Sequence, residues 1–134
     1  MAMMSGVDLP SLTVASAQAV TVAEADRAAI LDIARQPVAQ HLGKPVKFKV
    51  RTLHRDGDWA FLIAEMQDAG GRPISYAGTP LASAEAEGMV SKDYAALLRR
   101  TGGHWRVADY AIGPTDVAWA EWPAKHKAPR ALFP

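Results

Sequence analysis

Residues 46–67, "VKFKVRTLHRDGDWAFLIAEMQ", decide the fold. Val46, Phe48, Val50 and Thr52 alternate with Lys47, Lys49 and Arg51, the period of two expected of a strand with one buried and one wetted face. Asp56-Gly57 is a favoured pair for a two-residue hairpin turn, and a type I′ turn there gives positive φ at both residues. With that centre, His54 faces Trp59, Thr52 faces Phe61 and Val50 faces Ile63, all on what reads as the core face. Ala60, Leu62, Ala64 and Met66 line the other side of the returning strand, which is therefore apolar on both sides and belongs inside a sheet.

On the N-terminal side, "TVAEADRAAILDIARQPVAQHLG" opens with Thr21 and Glu24 in capping-box spacing. It then places Ala29, Ile30, Ile33, Ala34, Val38 and Leu42 at helical intervals before Gly43. A long amphipathic helix is expected, kinked or restarted at Pro37, which removes a backbone donor. Residues 1–20 precede the domain. Ala17-Gln18-Ala19 would suit a signal peptidase, but there is no basic leader and Asp8 interrupts the apolar part. This segment reads as a signal-peptide remnant or a disordered extension, and residues 21–134 as one domain.

On the C-terminal side, residues 68–87 show neither period and read as a mobile loop, the alternative being a flap over a surface. "GMVSKDYAALLRR" and "HWRVADYAIG" form a second hairpin around Thr101-Gly102-Gly103-His104, pairing Leu98 with Val107, Ala96 with Asp109, Leu97 with Ala108 and Ala95 with Tyr110. Thr115 or Asp116 then caps a short helix through Trp119, ended by Pro123, and Trp119 and Trp122 plug an open end of the curled sheet. One helix followed by four strands makes an α+β domain, an antiparallel meander around a long N-terminal helix with a short C-terminal helix.

Composition narrows the function. The 134 residues carry 15 Lys and Arg against 14 Asp and Glu, a formal charge of +1, so no nucleic-acid partner is expected. No apolar run reaches the roughly 20 residues that span a bilayer. Cysteine is absent, which excludes disulfides and thiolate chemistry. His41, His54, His104 and His126 lie in four separate elements without metal-ligand spacing, and no phosphate or nucleotide motif occurs, so neither metal nor cofactor is expected.

The order of elements resembles the cystatin-like arrangement, with the NTF2-like cone as the nearest rival. "GDWAF", "LLRR" followed by W-R-V, and "GPTDVAW" look like a group of small uncharacterised bacterial proteins with a cystatin-like fold, a resemblance that covers about residues 22–133. It implies no catalytic residue. It does imply a cell-envelope location, periplasmic or exported, with cytoplasmic as the alternative.

Two functions are carried forward. The first is a non-catalytic module that binds a small molecule, peptide or protein through the sheet face or loop 68–87, with Trp59, Tyr76 and Trp105 as candidate binding residues. The second is an NTF2-like isomerase or dehydratase using Asp109 with Tyr94 or Tyr110 in an apolar cone. On the alternation Trp105, Val107, Asp109, the carboxylate sits on the core face, where its pKa would be raised. Arg99 and Arg106 are expected as cross-strand neighbours needing an anion between them, with Glu65 or Asp93 as suppliers. Leu62, Ala64, Met66, Leu97 and Tyr110 are expected on an open face that would support a homodimer, the alternative cover being the C-terminal tail itself.

Overall fold

A computed structural model describes residues 22–134. The expected extension 1–20 and Thr21 of the capping box lie outside these residues. Helix α1, Glu24–Leu42, starts after Ala23 with no side-chain cap and runs through Pro37 as one element. It buries Ile30, Ala34, Val38 and Leu42, four residues apart, as a narrow stripe. Gly43 ends it at φ 69°, donating its amide to the Ala39 carbonyl at 2.8 Å, a left-handed cap that glycine adopts without steric cost.

Four antiparallel strands follow: β1 Lys47–Asp56, β2 Trp59–Gln67, β3 Asp93–Thr101 and β4 His104–Ile112, in the spatial order β1-β2-β3-β4. The α+β architecture expected from the sequence is thus the observed one, and β2 lies inside the sheet.

The first register differs from expectation. Asp56 pairs with Trp59, His54 with Phe61 and Thr52 with Ile63, so the turn centre is Gly57-Asp58 rather than Asp56-Gly57. Gly57 has φ 60° and Asp58 has no positive φ, the pattern of a II′ turn, which wants glycine first, and not of I′. Arg51 is then a bulge: Val50 pairs with Ala64 and Phe48 with Met66. An extra residue flips the following side chains to the opposite face. Phe48 and Val50 therefore pack with Leu53 under the helix, whereas Thr52 and His54 look the other way.

A second bulge falls on Ala108. Leu98 pairs with Val107 as expected, but Leu97 then pairs with Asp109 and Ala96 with Tyr110. Asp109 is moved off the face of Trp105 and Val107, against the straight alternation.

The centre of the sheet is buried on both faces. Between helix and sheet lie Ile30, Ala34, Val38, Leu53, Ala60, Leu62, Ala64, Met66, Tyr94, Ala96, Leu98 and Trp105. On the outer face, Phe61, Ala95 and Leu97 are covered by Trp122, Ala128 and Leu132, with Trp119 and Phe133 packed alongside. The C-terminal segment is thus a third layer laid over the sheet, not a plug in its end. Its short helix, α3, spans Trp122–His126 and not 115–119, because Pro123 occupies the first turn, where a missing amide costs nothing, and so starts the helix instead of ending it. The apolar patch expected for a dimer does not exist as a surface: Leu62, Ala64, Met66 and Leu97 are fully buried, and of that set only Tyr110 is exposed.

Residues 68–87 are packed, contrary to the mobile reading. Gln67 bridges Pro73, the Ile74 amide donates to the Met66 carbonyl at 3.0 Å, and Ile74 and Tyr76 are fully buried. Lys44 Nζ donates to the carbonyls of Ser75 and Ala77 at 3.0 and 3.2 Å, and a short helix, α2, forms at Ala82–Ala86.

Candidate functional site

The residues expected to form a catalytic cone are divided by the sheet. Tyr94 lies on the helix side, stacked on Phe48 with centroids 5.4 Å apart, and Tyr110 tilts toward it at 6.3 Å. Tyr94 is fully enclosed, its hydroxyl has no hydrogen-bond partner, and burial raises its pKa well above the ordinary phenol value. A phenol in that state neither ionises nor meets solvent at neutral pH.

Asp109 is on the other side. Lys125 Nζ and His126 Nε2 donate to its Oδ2 at 3.1 and 2.8 Å, and the Tyr110 amide donates to Oδ1 at 2.9 Å. Partial burial works to raise its pKa, but these donors outweigh it, His126 first and then Lys125, and hold the carboxyl below its usual range. The expectation of a raised pKa fails because the Ala108 bulge turns the side chain toward cationic partners on α3. Asp109 fastens the outer layer to the sheet. His54 does the same at the far end, its Nδ1–H donating to the Leu132 carbonyl at 3.0 Å.

The candidate binding aromatics are also engaged. Trp105 is nearly buried between the guanidinium groups of Arg55 and Arg100, 5.3 and 5.6 Å from its ring. Tyr76 donates its hydroxyl to the Ser91 carbonyl beneath the Lys92 ammonium, and its pKa is pushed up to about 12, chiefly by burial. Trp59 is half-buried beside the outer layer and carries Arg99 over its ring at 4.9 Å. Among the described residues no group of three or more His, Cys, Asp or Glu could hold a metal ion.

Concave surface occurs between α1 and β4, in a cleft of about 220 Å³ lined by Ile33, Gln36, Pro37, Gln40, Trp105, Arg106 and Val107, and also around Trp119. One cleft there, of about 220 Å³, is lined by Ile63, Asp93, Tyr94, Ala95, Pro114, Thr115, Asp116 and Trp119. A second, of about 310 Å³, is bounded by Val117, Trp119, Ala120, Pro123, Arg130 and Phe133. The indole is the wall the two share. Trp119 packs against Phe61 at 5.6 Å and 60°, so it is held from below while half-exposed above. The segment 114–119 is pinned at its start by Ser91 Oγ donating to the Pro114 carbonyl at 2.5 Å. The sequence reading assigned these residues to a capped helix and missed the clefts. Its available signal was the mixture in "GPTDVAW": a polar Thr-Asp pair beside an indole is unusual for a segment that only fills a core.

No protein-family model matches this chain, and no curated protein does. Among solved structures, a de novo designed β-sheet protein determined by solution NMR is similar at a TM-score of 0.42 and 15% identity, covering 69% of this chain and 88% of its own. Among the described residues no helix is long and apolar enough to cross a membrane.

Proposed function

We propose that this protein is a non-catalytic binding module whose ligand site is the pair of clefts walled by Trp119. The observation that carries this reading is the Trp119 indole shared by two adjoining clefts, whereas the groove between α1 and β4 stands alone beside Trp105. The helix-side interior, where an enzyme of the NTF2-like kind would need its cone, is closed by Tyr94, Phe48, Met66 and Leu98, while open clefts with an apolar floor and a few polar groups gather at the outer layer. Asp109 stands across the sheet from Tyr94 and Tyr110, so the acid–phenol pair of the alternative reading is not assembled.

An aromatic wall with Thr115, Asp116 and Asp93 on one side and Arg130 on the other suits a small molecule or short peptide with an apolar body and charged ends. The resemblance of "GDWAF" and "GPTDVAW" to exported bacterial proteins supports a role in the cell envelope. A screen of small amphiphilic molecules and short peptides, followed by amide chemical shifts, tests the site. Binding should move Ala95, Thr115, Asp116 and Trp119 together and quench the indole. Ligands that instead move Phe48 and Tyr110, leaving residues 114–119 still, would overturn it.

A further inference from the structure

A charge pattern on the outer face of the sheet points to a second site, independent of the Trp119 clefts. The register sets Trp59, Arg99 and Arg106 side by side across β2, β3 and β4. Directly opposed residues on neighbouring strands have Cβ atoms about 5 Å apart, a separation at which like charges destabilise the sheet. At the other end of the same face an acidic pair, Glu65 opposite Asp93, is relieved. Lys49 stands opposite Glu65, and Arg51 clasps Asp93 through two hydrogen bonds of 2.5 and 3.0 Å.

Arg99 and Arg106 have no such relief. Among the described residues neither guanidinium has a carboxylate partner. Of the two acids expected to serve, Asp93 is committed to Arg51, and Glu65 is opposite Lys49 at the far end of β2. In the adjacent row Asp109 is taken by Lys125 and His126, and His104 lies two residues from Arg106 on the same side of β4. Asp56 lies beyond Trp59, two strand spacings from Arg99, about 10 Å. Arg99 is meanwhile steadied against the Trp59 ring.

We propose that Arg99 and Arg106 bind a tetrahedral oxyanion of the phosphate type, either free phosphate or a phosphomonoester. Each guanidinium offers a planar fork of donors suited to bidentate contact with such oxygens, and a doubly charged anion between them turns a repulsive pair into an attractive one. A single carboxylate would satisfy one fork and leave the other.

The test is the thermal midpoint of the full chain against inorganic phosphate and phenyl phosphate up to about 20 mM, at ionic strength held constant with sodium chloride. A dissociation constant of about 1 mM raises the midpoint by about 5 °C at about 20 mM, the rise growing with the logarithm of concentration above about 1 mM. Arg106→Gln should weaken this response at least tenfold while melting no lower than the parent in the absence of phosphate, because the repulsion is gone. Arg72→Gln, an arginine in the loop after β2, should keep the full response. A stronger response to phenyl phosphate assigns the site to monoesters, and an equal one to free phosphate. No rise in the parent at about 20 mM of either anion, or a rise that persists undiminished in Arg106→Gln, overturns the proposal.

Discussion

Asp109 shows how one side chain changes role with one backbone residue. Read on an unbroken alternation it is a buried acid; displaced by the Ala108 bulge it is the anchor of α3, ionised between Lys125 and His126. Its folded pKa is lowered, so its contribution to stability is fully present above the carboxylate value of the unfolded chain and is lost as pH falls through the lower folded value. Thermal midpoints of the parent and Asp109→Asn should therefore differ at pH 7 and converge on acidification below about pH 4. A difference that stays constant down to pH 2 would contradict the assignment. At this scale the sequence was informative about identity and silent about direction. Trp59, Tyr76, Trp105 and Tyr94 were all singled out as aromatics with work to do, and each has it, but as partners of Arg99, Lys92, Arg55 with Arg100, and Phe48. The Arg99–Arg106 opposition was legible because it lies between the β3–β4 turn and the bulge, where counting outward from the turn still holds.

Elements were legible wherever a period runs uninterrupted. The alternation in residues 46–50, the apolar run of 59–66 and the four-residue spacing from Ile30 to Leu42 led to β1, β2 and α1, although the helix starts after Ala23 and does not restart at Pro37. Registers were not, because a bulge leaves no mark in composition: Arg51 continues the Lys-Arg alternation that it in fact ends. The first turn was misplaced by one residue for a related reason. Asp56-Gly57 and Gly57-Asp58 both satisfy hairpin preferences, and the choice between I′ and II′ is made by how β1 and β2 pair. Either way Gly57 needs its positive φ of 60°, with open space around its missing Cβ. Gly57→Val should cost about 1 to 2 kcal/mol through backbone strain alone, read from urea unfolding. Gly57→Asn should cost less, since asparagine tolerates the left-handed region. Equal losses for the two would point to a steric clash that the open surroundings do not contain.

The whole molecule is a three-layer arrangement, helix, sheet and C-terminal segment, in which an apolar β2 and β3 receive cover on both faces. The sequence showed that β2 was apolar on both sides and left two covers for the open face, a second copy or the C-terminal tail; the tail is the one observed. That cover comes from a stretch with no long period, held by isolated large side chains and by Asp109 and His54, and such packing is invisible to pattern reading. The proposed ligand clefts exist because this third layer meets the sheet incompletely around Trp119, so the binding account depends on the layer being in place.

Trp122 is its centre. The ring is 6% exposed and sits edge-on to Phe61 at 6.3 Å, in one apolar cluster with Ala95, Leu97 and Leu132. The most direct test is urea unfolding of Trp122→Ala beside the parent. If the C-terminal segment is the outer layer of the core, the variant loses about 3 to 5 kcal/mol, as truncation of a buried aromatic ring does. A variant within about 0.5 kcal/mol of the parent, the range of a surface substitution, would contradict the three-layer account and the clefts that rest on it.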